Sequence, residues 1–350
     1  MDGIETVSKS KQPRTRPNRS RGGVTMAMVG RIAGVSQVTV SRALSDPTKV
    51  SAETLRRIET AIEQTGFVPN ALAGALASRK SQLISAFVPS ITNIVYTMMM
   101  QAFSERMRAE GYQILLSETG FELETEEKLI ATHLARRPDA VLLTGIHHSA
   151  RTRRMLLAMD VPVIEIWDMT DTPIDACVGF SHKEAGEAVA AFAVEAGYRR
   201  AASIAATDER AKRRQSGFAG AFEAATGQSV PTIDSGWQSS IRAGRDALSR
   251  LIDEKGFESG LIACSSDLLA HGVLVEATAR GLKVPDTIAI FGFGDQDFAA
   301  HIATPLTTIK IDRSELGYAA ASIMLDRLTA KTSGPVIRDI GFEIIRRASA

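Results

Sequence analysis

From Leu83 onward the chain alternates short apolar runs with amphipathic stretches, and this periodicity limits its fold more than any other feature. The strand candidates are Ile84–Pro89, Gln113–Ser117, Ala140–Thr144, Val163–Ile166, Ala176–Phe180, Ala201–Ala205, Gly260–Cys264, Ile288–Phe293 and Thr307–Ile311. Between them the helical spacing predicts Tyr96–Glu110, Thr125–Arg136, Lys183–Ala196, Arg213–Thr226, Ile241–Glu254 and Asp267–Arg280. A strand that is apolar throughout is buried on both faces, as in a parallel sheet covered by helices. So many βα units exceed one sheet and predict an α/β body of two lobes. Ligands bind beyond the carboxyl ends of such strands, so the cleft between facing lobes is the expected pocket.

Ahead of this body, Thr25–Leu44 reads TMAMVGRIAGVSQVTVSRAL. Met28, Val29, Ile32 and Ala33 recur at helical spacing, Gly34 suits a tight turn, and Ser36 is a good N-cap for a second helix. Val40 and Ala43 give that helix a buried side, which leaves Gln37, Val38, Ser41 and Arg42 outward. This is the layout of a helix-turn-helix whose second helix enters a DNA major groove. Ser51 caps a third helix with an apolar stripe at Leu55, Ile58, Ala61 and Ile62, with Arg56 and Arg57 facing water, and Gly66 ends it.

Charge divides the chain in the same place. Residues 1–80 carry 13 Lys/Arg against 6 Asp/Glu, whereas residues 81–350 carry 28 against 34. A basic head on an acidic body directs the head alone toward a polyanion. The first 22 residues are nearly devoid of apolar side chains and are expected to be a disordered basic tail. No apolar leader and no membrane-length apolar run occurs, and the only cysteines, Cys177 and Cys264, sit in apolar strands. Buried free thiols in a reducing cytoplasm are therefore expected, and no metal-ligand spacing or cofactor motif is present.

The string VSQVTVSRALSDPTKVSAETLRRIETAIEQTGFVPNALAGALA, followed by FVPSITN, resembles the LacI/GalR family of bacterial transcriptional regulators. PDAVLLTG, VGFSHKEAG, RRQSGF, SSDLLAHG, GLKVPDTIAIFGFGD and TPLTTIKID extend the resemblance through the body. EIWDM, PIDACVGFSH and TGIHHSARTRRML look most like its gluconate-operon repressor branch. The resemblance implies a helix-turn-helix head at 23–69, a hinge helix at 70–80 and a periplasmic-binding-protein-like core at 81–350. Lobe 1 would take about 82–180 and 312–338, and lobe 2 about 181–311 and 339–350. It further implies a homodimer, or a tetramer, on pseudo-palindromic operator DNA, released or retained by a small sugar-acid effector such as gluconate. A sugar-acid enzyme or a sugar-binding protein with an appended head is the alternative.

The resemblance also assigns residues. Gln37 and Val38 open the recognition helix, suited to an adenine edge and a thymine methyl, and Arg42 reaches a guanine or a phosphate. Thr25, Ser36, Thr39 and Ser41 are short donors for phosphates, or caps and packing groups. Asn70 and Ala73 belong to the hinge, and Leu76 falls where the family wedges a leucine into the minor groove. In the cleft, Arg214 matches a ligand-gripping arginine, the alternative being a surface role. Ser90, Tyr96 and Asp168 lie at strand or helix ends facing the cleft. Ser266 and Asp295 complete the implied effector set, although Ser266-Asp267 stands where many relatives have Asn-Asp, and Gly294-Asp295 where the lactose-type pattern has Asp-Asp. One carboxylate fewer suits an anionic ligand better than a neutral galactoside. His147 and His148 open a loop, either as carboxylate contacts or as solvated side chains. Leu76→Ala should greatly weaken operator binding in a mobility-shift assay and leave effector binding intact; unchanged operator affinity would refute the wedge.

Overall fold

The computed structural model describes residues 23–69, 80–237, 239–329 and 334–350. The basic tail and the segment with Asn70, Ala73 and Leu76 lie outside the described residues. The chain divides into two units at Arg79 and Lys80.

In the first unit, helices α1 (Met26–Ala33), α2 (Gln37–Ser45) and α3 (Ala52–Thr65) close on Val29, Ala33, Val40, Ala43, Ile58 and Ala61. Thr25, Ser36 and Ser51 cap the three helices by accepting from the amides of Met28, Thr39 and Thr54. Gly34 and Gly66 end α1 and α3 at φ 66° and 62°, where a Cβ would be strained. Met28 and Ile32 flank the buried stripe and stay largely exposed. Arg57 is exposed, as expected, and its guanidinium also donates to the carbonyls of Ala33 and Gly34. The last carbonyls of a helix have no partner within it, and Arg57 supplies one across the turn.

The second unit holds two six-stranded sheets. The first runs β11-β5-β4-β3-β1-β2, all parallel, with β1 Leu83–Val88, β2 Gln113–Glu118, β3 Ala140–Thr144, β4 Val163–Ile166, β5 Ala176–Gly179 and β11 Val336–Asp339. The second runs β12-β10-β9-β8-β6-β7, with β6 Ala201–Ala205, β7 Thr232–Asp234, β8 Gly260–Cys264, β9 Ile288–Phe293, β10 Thr307–Lys310 and an antiparallel β12, Glu343–Ile345. The chain therefore passes between the lobes after β5, after β10 and after β11. Helices α4 (Ile94–Ala109), α5 (Leu123–Leu134), α6 (Ala150–Met159) and α11 (Arg313–Leu328) belong to the first lobe. Helices α7 (His182–Glu195), α8 (Glu209–Thr226), α9 (Ile241–Asp253) and α10 (Asp267–Ala279) belong to the second. Both cysteines are free and buried.

Burial in the first lobe includes an ion cluster. His148 is neither solvated nor in the cleft: its side chain is fully buried, with Nδ1 2.8 Å from Glu126 Oε1 and Nε2 3.5 Å from Glu165 Oε1. Burial disfavours the imidazolium, but the two carboxylates together outweigh it and raise the pKa to about 9. Glu165 also accepts from the Ile174 amide, so the cluster ties α5, β4 and the loop before β5 together. Its contribution to stability is complete below pH 6.5 and is lost as the pH rises through about 9. His148→Gln should cost roughly 3–5 kcal/mol near neutral pH by taking the cation from Glu126 and leaving Glu165 with only Arg153, 4.0 Å away. Thermal melts should show the gap to wild type narrowing above pH 9; a gap independent of pH would contradict the ionic account.

Candidate functional site

Two surfaces carry polar chemistry that packing does not explain. The first is the outer face of α2. Val40 and Ala43 point into the head core, and the helical period then leaves Gln37, Val38, Ser41 and Arg42 exposed together. Val38 is 64 % exposed on this face, where it is free to meet a partner such as a base methyl. Ser36 and Thr39 hydroxyls bond each other at 2.9 Å while Ser36 caps the helix, so their first role is structural. Thr25 likewise caps α1.

The second surface is a cleft of about 530 Å³ between the lobes. Ser90, Asn93, Tyr96 and Trp167 border it from the first lobe, and Arg210, Arg214, Ser266 and Gln296 from the second. Asp208 caps α8 by accepting from the Ala211 amide, so the helix begins at Glu209, four residues earlier than its apolar period suggests. That earlier start places Arg210 one turn before Arg214 on the cleft side. Arg210 was not among the expected site residues; the missed signal is the Asp208 cap. Phe121, Trp237 and His182 also border the cleft without having been singled out.

Arg210 and Arg214 are the cations of the cleft, and Glu118, Glu122 and Asp208 border it as well. Arg210 Nη2 donates to Tyr96 Oη at 2.8 Å, reaching from lobe 2 to lobe 1. Arg214 donates to His182 Nδ1 at 2.9 Å and to the Ser265 carbonyl at 3.0 Å, with its guanidinium 3.9 Å from the Phe293 ring centroid. All these partners are neutral, and among the described residues neither guanidinium has a carboxylate within ion-pair distance. Arg214 Nε is buried without a hydrogen-bond partner. Burial pushes the Arg214 pKa down to about 10, which still leaves the group charged at neutral pH. A buried, underused guanidinium is costly by itself and fits an incoming carboxylate.

The two expected acids do not border the cleft. Asp168 is buried beside it, accepting from Arg213 Nη1 at 2.7 Å and from the Met169 amide. Burial raises its pKa, against the pull of Arg213. Arg213 also donates to His147 Nε2, so this arginine of lobe 2 holds two residues of lobe 1. Asp295 is taken up by Arg347 at 2.7 Å, and its carbonyl by Arg313. Gln296 borders the cleft in its place, its amide held by Asp267 Oδ2 at 2.7 Å. Desolvated acids pair with the nearest arginine, and strand-end position alone cannot show which arginine that is. No group of three or more metal-ligating side chains, and no helix long and apolar enough to cross a membrane, occurs among the described residues.

Residues 25–70 match the family model of bacterial regulatory proteins, lacI family, and residues 190–350 match that of a periplasmic binding protein-like domain. The chain is 34 % identical over 338 residues to the HTH-type transcriptional regulator GntR of Pseudomonas aeruginosa, covering 95 % of this chain and 97 % of that one. It is 30 % identical over 312 residues to GntR of Escherichia coli K12, covering 89 % and 94 %. Its structure superimposes on a LacI-family regulator from Silicibacter pomeroyi with a TM-score of 0.87 at 30 % identity, over 93 % of this chain and 99 % of that one. A lac repressor dimer bound to operator shares the fold at a TM-score of 0.79 and 23 % identity, over 93 % of this chain and 98 % of that one. With an exposed reading helix, a two-lobed core and similarity along nearly its whole length, the chain belongs to the lacI family of bacterial regulatory proteins, as a DNA-binding transcriptional repressor.

Proposed function

We propose that a small sugar acid, gluconate in the first instance, controls this repressor's affinity for its operator. The observation that carries the reading is the pair of cleft guanidiniums held only by neutral groups, one with a buried unpartnered Nε–H. A carboxylate supplies the missing counter-charge and accepts from the guanidinium fork. Ser90, Asn93, Ser266 and Gln296 offer hydroxyl and amide groups for the polyol chain. Gly294, where the lactose-type pattern has an aspartate, adds no negative charge against such a ligand. The two relatives named GntR agree with this chemistry.

On the DNA side, Gln37, Val38 and Arg42 read base edges, and Thr25, Ser36, Thr39 and Ser41 add phosphate contacts beside their capping roles. The repressor acts as a homodimer in the cytoplasm, two heads on the two halves of a pseudo-palindrome. It binds its effector without turnover, and gluconate should be recovered unchanged.

Titration calorimetry against gluconate, with electrophoretic mobility shifts on operator DNA, separates the two surfaces. Arg42→Ala should cost about 1–3 kcal/mol in operator binding if it reads a base, with gluconate affinity unchanged. Arg214→Ala should weaken gluconate by roughly 2–5 kcal/mol and leave operator affinity without effector unchanged. Absence of gluconate binding to wild type, or undiminished binding to Arg214→Ala, would refute the effector assignment.

A further inference from the structure

Arg214 does not hold its own pose. We infer that His182, as a neutral imidazole protonated on Nε2, is the positioning residue that turns the Arg214 guanidinium toward the ligand's carboxylate. The inference rests on the carboxylate reading of the cleft and adds a residue to it.

The tautomer follows from the partners. His182 Nε2 lies 2.8 Å from the Trp167 carbonyl, which can only accept, so Nε2 carries a proton. Nδ1 lies 2.9 Å from Arg214 Nη1, which can only donate, so Nδ1 is a bare lone pair. A doubly protonated ring would turn an N–H against the guanidinium. Burial, with the Arg214 charge next, depresses the His182 pKa well below its ordinary value, in keeping with a neutral ring. The imidazole is itself fixed: it is 3 % exposed and meets the Phe180 ring edge-on at 4.5 Å.

Helix packing sets the distance between the two residues. A Cβ on Gly186 of α7 would lie 2.0 Å from the Arg214 carbonyl oxygen of α8, and one on Gly217 would lie 2.4 Å from the Lys183 carbonyl oxygen. The two backbones therefore touch where only glycine fits. That contact brings the first residue of α7 within reach of the Arg214 side chain. His182 and the Ser265 carbonyl then hold one hydrogen each of Nη1 and Nη2, and Phe293 fixes the plane, which leaves a second N–H on each terminal nitrogen for a ligand. Because the Trp167 carbonyl belongs to lobe 1, this chain of hydrogen bonds also refers the arginine to the opposite wall of the cleft.

Two substitutions separate positioning from packing. His182→Phe keeps an aromatic ring and loses both hydrogen bonds; His182→Gln keeps one donor and one acceptor. By calorimetry, His182→Phe should weaken gluconate roughly ten- to a hundredfold, the range for hydrogen bonds to a charged group. It should weaken gluconamide much less, and His182→Gln should recover most of the loss. In an Arg214→Ala background His182→Phe should cost nothing more. Unchanged gluconate affinity in His182→Phe, no recovery in His182→Gln, or full additivity with Arg214→Ala would each overturn the proposal. Nitrogen-15 NMR of labelled histidines tests the geometry without effector. The resonance removed by His182→Gln should show a protonated Nε2 and a hydrogen-bonded bare Nδ1, and Arg214→Ala should shift that Nδ1. A protonated Nδ1 would overturn the proposal even if gluconate binds. Absence of gluconate binding to wild type with this NMR signature intact would overturn the effector assignment alone.

Discussion

A guanidinium with no carboxylate in ion-pair contact, acted on by Asp208 only from a distance, marks the cleft of this protein. Arg214 is desolvated by the second lobe and held by an imidazole, a carbonyl and an aromatic face, none of which neutralises it. An isolated charge in such a place is expensive, and the expense falls when an anion arrives. If the effector is the carboxylate proposed above, its binding relieves an existing cost.

The same helix divides its arginines by task. Arg210 reaches Tyr96 across the cleft, Arg213 reaches Asp168 and His147, and Arg214 turns inward. Three contacts from one helix thus run from the second lobe to the first. Three strand crossings join the lobes, so a change in their separation is a rigid-body movement about a few connecting residues. An effector can shift that equilibrium only by its difference in affinity for the two arrangements.

Much of this was legible in the sequence. The strands at Ala140–Thr144, Val163–Ile166, Ala201–Ala205, Gly260–Cys264 and Ile288–Phe293 stand where their apolar runs predict, because strands buried on both faces are marked by composition alone. The caps at Ser36 and Ser51 and the stop at Gly34 were equally visible, being local chemistry. Pairing over long sequence distance was not. That Arg57 also reaches the end of α1, whether Asp168 faces the cleft or Arg213, and whether His148 is solvated or lies between two glutamates depend on residues far away in the chain. Arg210 was missed because helix α8 starts at a polar cap ahead of its apolar stripe.

The central claim is that cleft and operator are linked, and thermodynamic reciprocity tests it directly. The measurement is the gluconate Kd with and without saturating operator DNA, alongside the operator Kd with and without saturating gluconate. The account predicts that both ratios differ from one and equal each other. An operator Kd indifferent to gluconate, with gluconate bound in the cleft, would contradict it.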